Sequence, residues 1–258
     1  MSPRWRLLLL TLALLALAPG LWRVARAMPP FGSPTSLYGP AINQLAPAAR
    51  HVSNMVAAVN FDFRGFDTLG EETMLLCAVT GAVVLLRGSR GEGGRDRAGR
   101  LPGRTVAPRA DATVLVCRLS AALVLLFGVY VVLHGTVTPG GGFQGGVIAA
   151  SSFLLLYLGE GYDVWRRLMR GPLLQLLEAG GALAFVVAAA VPLIRAHPAL
   201  TNLLPLGQFR SLYSGGLVLV VNDAVGLSVT GSFGMLLLEF LEETRSSASD
   251  PVPDEEDT

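Results

Sequence analysis

The sequence predicts an all-α membrane protein of about six transmembrane helices, arranged as two plus four. Three observations predict it. The 258 residues are 52% hydrophobic and only 15% charged, against about 25% charged in soluble domains, and mean hydropathy is +0.52. The apolar residues fall in blocks separated by polar connectors, as in a polytopic membrane protein. No block alternates as an outer-membrane barrel strand does, and an isolated strand in lipid leaves its backbone unpaired, so the blocks are helices. The same figures exclude a disordered chain, a secreted disulfide scaffold and a soluble nucleic-acid binder. Net charge is +1, and every one of the 20 basic residues is arginine.

The six blocks run Leu7 to about Trp22, Leu69 to Leu86, Ala112 to Leu133, Phe143 to Leu158, Leu173 to Ile194 and Leu212 to Leu241. A helix rises 1.5 Å per residue and needs about 20 residues to cross about 30 Å of hydrocarbon. Blocks one and four are slightly short, and block four can borrow Gly140 to Gly142. Block one keeps two readings open. Arg4 and Arg6 precede Leu7–Ala18, and Ala25-Arg26-Ala27 offers a cleavage site, so it is a retained first helix or a cleaved secretory signal. Cys77 and Cys117 fall inside apolar runs and read as small buried hydrophobes.

Arginine placement orients the chain. Seven arginines against Glu92 and Asp96 lie between Arg87 and Arg109, in a stretch rich in Gly and Pro. The positive-inside rule puts this linker in the cytoplasm, with the Arg166, Arg167, Arg170 connector. The outer connectors are then 23–65, 134–142 and 195–210. The chain divides into a two-helix unit (1–87), a cytoplasmic linker (88–110), a four-helix unit (111–245) and an acidic disordered tail (246–258). Two units joined by a charged spacer suggest two ancestral polypeptides fused.

The densest segment is His134-Gly-Thr-Val-Thr-Pro-Gly-Gly-Gly-Phe-Gln-Gly-Gly146. Glycine costs a water-soluble helix about 1 kcal/mol each relative to alanine, so these serve another purpose. After Pro139, Gly140, Gly141 and Gly142 allow a tight turn with positive φ. Gly145 and Gly146 let a neighbouring helix approach closely. Amides at the start of block four, with Gln144, offer contacts to an ion or ordered water. His134, at a helix end, is a candidate proton carrier or an interfacial anchor.

The second segment, Asn60-Phe-Asp-Phe-Arg-Gly-Phe-Asp-Thr-Leu-Gly-Glu-Glu72, leads into block two. Asp67 or Thr68 can cap that helix, and Asp67 and Glu72 suit its dipole. Arg64 and Glu71 are expected to pair at depth, because an isolated carboxylate in lipid is costly. Two further places interrupt the apolar blocks: Gln175 with Glu178, and Asn222 with Asp223 near the middle of block six. A central Asp costs about 2.5–3.5 kcal/mol on insertion scales, so Asp223 calls for a proton, a cation or a partner in another subunit, or else a local helix break. Glu160, Asp163 and Glu239 are expected to be solvated at cytoplasmic ends. No nucleophile–base pair, metal-ligand cluster or cofactor motif stands out, so no catalytic residue, metal or cofactor is assigned and the chain does not read as an enzyme.

His134–Ile148, with its Thr-Pro-Gly-Gly-Gly-Phe-Gln-Gly-Gly core, resembles the B subunit of multisubunit Na+/H+ antiporters (Mrp, Mnh). The 110–245 unit is similar in length and layout, including Glu178-Ala-Gly-Gly and Asn222 followed by Ala-Val-Gly-Leu. The upstream 62–71 segment is similar to the end of the large A subunit, or to the small E-type subunit of membrane-bound hydrogenases. The resemblance covers most of the chain. It implies a multi-pass protein of the bacterial inner membrane, whose partners are lipid and other antiporter subunits and whose transported ions are Na+ and H+. It also implies a role in assembly and the ion pathway. On physical grounds Arg64, Asp67, Glu71, Glu178 and Asp223, with the Gly140–Gly146 loop, are expected to line a polar route between helices, with His134, Gln144 and Asn222 as further candidates. The family's larger subunits carry lysine–glutamate relays; this chain has no lysine and cannot supply one. Asp223 stands where the family resemblance leads one to expect an apolar or small residue. The alternatives are a subunit of a redox-driven ion pump or a purely structural scaffold.

Overall fold

The structure, a computed structural model, describes residues 3–28, 37–89, 110–169 and 171–247. The arginine-rich linker from 90 to 109 and the acidic tail beyond 247 lie outside the described residues. The described chain is helical throughout its regular elements, with six helices long and apolar enough to cross a membrane. It divides into two units, Met1–Ala41 and Ile42–Thr258.

The first unit holds α1 (Pro3–Ala27). Its Leu-rich span from Leu7 to Ala27 is long and apolar enough to cross a membrane. α2 (Tyr38–Arg50) follows.

In the second unit, residues expected to form an open outer connector are folded. Ile42 and Ala46 of α2 enter the core. A single turn, α3 (Met55–Ala58), begins at Asn54, whose side chain accepts from the amides of Val56 and Ala57. A π-helical turn (Val59–Phe63) then leads to α4 (Gly65–Ser89). Arg50 and Asp62 form an ion pair that closes this segment, with Asp62 nearly buried. Four long helices complete the unit: α5 (Asp111–Leu133), α6 (Gly142–Glu160), α8 (Gly171–Ile194) and α9 (Leu217–Ser247), with the short α7 (Tyr162–Leu168) between α6 and α8. Trp165 of α7 is fully buried and meets the Tyr157 ring edge-on at 5.8 Å.

α9 is the central element, with 61% of its span window buried against 11–39% for α4, α5, α6 and α8. It packs against all four. Small residues set these contacts, as expected where lipid supplies no hydrophobic drive between helices. A Cβ at Gly128 of α5 would lie 2.6 Å from the Ala149 amide nitrogen of α6. A Cβ at Gly181 of α8 would lie 2.5 Å from the Ala224 carbonyl oxygen of α9.

Four expectations are corrected here. α9 starts at Leu217, so Asp223 sits about 9 Å from its beginning, not mid-membrane; residues 212–216 belong to the preceding loop. α9 continues to Ser247, and Glu239 is 1% exposed rather than solvated, because it lies on the face turned into the bundle. Glu160 pairs with Arg118, Nη2 to Oε2 at 3.0 Å. Cys77 is exposed and Cys117 half-buried, both free, since α4 and α5 turn much of their apolar surface outward.

Candidate functional site

The loop between α5 and α6 is gripped from two sides. From the upstream segment, the amides of Ser53 and Asn54 both donate to the Thr136 carbonyl, at 3.1 and 3.2 Å. The Ser53 hydroxyl donates to Val137 O at 2.7 Å. The Asn54 side-chain amide reaches the carbonyls of Gly135, Thr138 and Gly140 at 2.8, 2.9 and 3.1 Å. Asn54 is 6% exposed; its amide faces the loop while its carbonyl oxygen caps α3, so one side chain joins the two segments. The loop can present these carbonyls because Gly140 and Gly141 take φ of 131° and 149°, a region that favours glycine.

From the other side comes Asn222 of α9, with no exposed surface. Its Oδ1 accepts from the Gly142 amide at 2.8 Å, and its Nδ2 donates to Val132 O at 2.8 Å and to Asp223 Oδ1 at 3.1 Å. The last carbonyls of α5 and the first amides of α6 have no partners in their own helices, and Asn222 serves one of each.

Where these segments meet lies a small cleft with Asn60, Thr68, Glu71, Gly140, Phe143 and Gln144 on its walls. Glu71 and Gln144 are exposed, and Thr68 is held by donating to Asn60 O at 2.7 Å. The cleft offers one carboxylate and several neutral oxygens to a small polar ligand.

Deeper in the bundle, besides Glu239, two further carboxyl groups among the described residues have almost no exposed surface. Glu178 of α8 accepts from the Ser232 hydroxyl at 3.0 Å. Glu72 of α4 is 5% exposed, its Oε2 has no hydrogen-bond partner, and Ser228 of α9 faces its carboxyl.

The predicted residues are therefore scattered rather than gathered in one line. Arg64 does not pair with Glu71; it pairs with Asp67, Nε to Oδ2 at 2.6 Å, and both are exposed. The bend after the π turn directs Arg64 outward, and neither Asp67 nor Thr68 caps α4 by a side-chain bond. Glu71 and Gln144 share the cleft. Glu178 is deep, whereas Gln175 on the same helix is exposed. Asn222 and Asp223 stand beside the loop, Asp223 half-buried. His134 stacks on Tyr130 at 3.9 Å between ring centres, and its Nδ1 lies 2.9 Å from the Tyr130 carbonyl. The sequence reading overlooked Asn54, Asn60, Ser228 and Ser232, and took Glu72 only as a first-turn acid suited to the helix dipole. Only the fold reveals the phase of Glu72: Thr68, Glu72, Val79 and Val83 fall on one buried stripe of α4, and Glu71 does not. No group of three or more His, Cys, Asp or Glu side chains that could hold a metal ion occurs among the described residues.

Taken together, six spans, a clamped glycine loop and carboxyls sunk in the bundle define a multi-pass membrane subunit. Residues 112–235 match the family described as a domain related to the MnhB subunit of the Na+/H+ antiporter. A Staphylococcus saprophyticus protein that carries the name of antiporter subunit mnhB2 is 34% identical over 126 residues, covering 45% of this chain and 86% of that protein. An uncharacterized protein of Methanocaldococcus jannaschii is 29% identical over 212 residues, 74% of this chain and 78% of that one. The chain belongs to the MnhB family. Among solved structures, a chain of the membrane-bound sulfane sulfur reductase, an archaeal respiratory membrane complex, matches with TM-score 0.69 and 25% identity over 92% of this chain and 98% of its own length. A chain of the Mrp complex from Dietzia sp. DQ12-45-1b has the same fold, TM-score 0.67 at 22% identity, over 98% of this chain but 27% of its own, longer length.

Proposed function

We propose that the chain is a subunit of a multisubunit monovalent cation (Na+)/proton antiporter in a bacterial inner membrane, contributing to complex assembly and to the ion pathway. The family supports the kind of complex. The observation that carries the ion-path part is the cleft in which Glu71 and Gln144 meet beside the doubly held glycine loop. A cation arriving there finds a carboxylate with neutral oxygens around it, on a backbone that Asn54 and Asn222 hold in place. Preorganised oxygens bind a partly dehydrated cation without further ordering cost. Arg64 and Asp67 form an exposed pair nearby in sequence, and Asp223 adds a half-buried carboxylate beside Asn222.

The test is exchange in membranes of a host lacking its own antiporters. Replacing Glu71 by Gln, or Asp223 by Asn, lowers sodium-driven proton movement while the complex keeps its size on a native gel. Loss of the complex itself would make those residues structural.

One observation favours a second reading, a subunit of a redox-driven ion-pumping complex. The sulfane sulfur reductase chain is matched across nearly its whole length. Co-purification of the tagged protein separates the two: iron–sulfur absorbance in the purified complex supports the redox reading, and its absence with exchange intact supports the antiporter.

A further inference from the structure

We infer that Glu72, Ser228, Ser232 and Glu178 form a proton relay between α4, α8 and α9, running inward from the cleft that receives the cation. The four side chains are all buried, at 5%, 2%, 0% and 8% exposure. They come from three helices yet converge on one stripe of α9, since Ser228 and Ser232 are one turn apart. Glu72 lies about 10 Å along α4 from the loop end of the bundle, and Glu178 about 10 Å along α8 from the opposite end. The stripe therefore runs through the thickness of the bundle rather than across it.

Chemistry favours a proton over a cation here. A hydroxyl both donates and accepts, and a carboxyl does so when protonated. Such groups pass a proton through hydrogen bonds without any open channel. A cation would need several converging oxygens and room, but the helices touch backbone to backbone on this stripe: a Cβ at Gly231 would lie 2.6 Å from Leu174 O, and one at Gly181 would lie 2.5 Å from Ala224 O. The free Oε2 of Glu72 is an unfilled proton position facing the stripe. Its neighbour in sequence, Glu71, opens to the cleft, so the relay has an entrance. At the other end, Ser232 already donates to Glu178 Oε1 at 3.0 Å. The two serines are separated by about 6 Å of rise, so passage between them requires a water to enter the stripe during turnover. In each hop one O–H bond forms as the next breaks. One proton enters at Glu72 and one leaves from Glu178, with nothing oxidised or reduced.

The inference rests on the antiporter reading, and the experiment separates the two. The whole complex is purified through this chain and reconstituted in vesicles. Proton movement is followed with a pH-sensitive dye and sodium uptake with a radioactive tracer. Glu72→Gln and Glu178→Gln each lower sodium-driven proton flux by about a hundredfold, the lower end of what positioned proton-transfer groups contribute. Glu72→Asp and Glu178→Asp recover part of it, and Ser232→Thr keeps what Ser232→Ala loses. Infrared difference spectra of the complex show a protonated-carboxyl band that is lost in the Gln variants and that rises and falls when the proton gradient is imposed and released, a change a merely structural role does not produce. Exchange that survives both Gln substitutions overturns the relay but leaves the antiporter reading standing. A complex that dissociates in the Asp variants as well as in the Gln variants also overturns it. A wild-type complex with no sodium-linked proton flux defeats the antiporter reading itself.

Discussion

The side-chain oxygen of Asn222 accepts the Gly142 amide at 2.8 Å, so a residue of α9 holds the first turn of α6. The same side chain donates to the Val132 carbonyl at the end of α5. One asparagine thus fixes where two helices stop and start, and the position of the glycine loop follows from α9. Replacing it by alanine leaves the buried Gly142 amide unpaired, at a cost of about 1–3 kcal/mol, and leaves the Val132 carbonyl with only the Gly135 amide as donor. Asn222→Ala lowers the melting temperature of the detergent-purified complex, whereas Asp223→Asn, with its half-buried side chain, changes it little.

Adjacent glycines of α8 differ in what surrounds them. A Cβ at Gly181 meets the α9 backbone, and one at Gly180 meets nothing within 4 Å. Gly181→Ala is expected to destabilise by about 1–3 kcal/mol through overpacking, with Gly180→Ala neutral or slightly stabilising. Thermal unfolding of the two variants side by side checks this.

Asn54 ties the upstream segment to the loop through three carbonyls. If the two-helix and four-helix units descend from separate polypeptides, residues 1–89 and 110–258 expressed as two chains still co-purify. Asn54→Ala breaks that association and raises amide hydrogen exchange across residues 134–141 even in the intact chain.

Two arginine–aspartate pairs sit in the same segment with unequal burial. Asp62, opposite Arg50, has a side chain 7% exposed, and Asp67, opposite Arg64, one 51% exposed. Breaking a buried pair strands a charge at a cost of about 3–5 kcal/mol, whereas exposed pairs contribute about 0–1 kcal/mol. Arg50→Ala therefore reduces the amount of folded protein, and Arg64→Ala does not; fluorescence-detected size exclusion distinguishes them.

The six spans and the two glycine roles could be read from residue order because length, hydropathy and backbone freedom are local properties. What the sequence concealed was helical phase. α4 is apolar nearly all round, so nothing in its pattern told that Glu72 faces α9 while Glu71 faces the cleft. The Arg64–Glu71 pairing failed for a related reason. The π-helical turn at Val59–Phe63 resets the direction of Arg64, and no residue type announces a π turn. Asn54 was invisible because its partners are backbone carbonyls more than 80 residues away. Asp223 was placed too deep because the apolar residues from Leu212 hid a loop, bent through Gly215 and Gly216 at φ 93° and 56°.

The central claim is that this chain works inside a cation-exchanging assembly. It is tested most directly by purifying the tagged protein from its native membranes, reconstituting whatever accompanies it, and imposing a sodium gradient. The account predicts several co-purifying membrane subunits and a sodium-dependent pH change that weakens in Glu71→Gln without loss of subunits. A lone polypeptide, or an intact assembly whose vesicles stay silent to sodium, would contradict it.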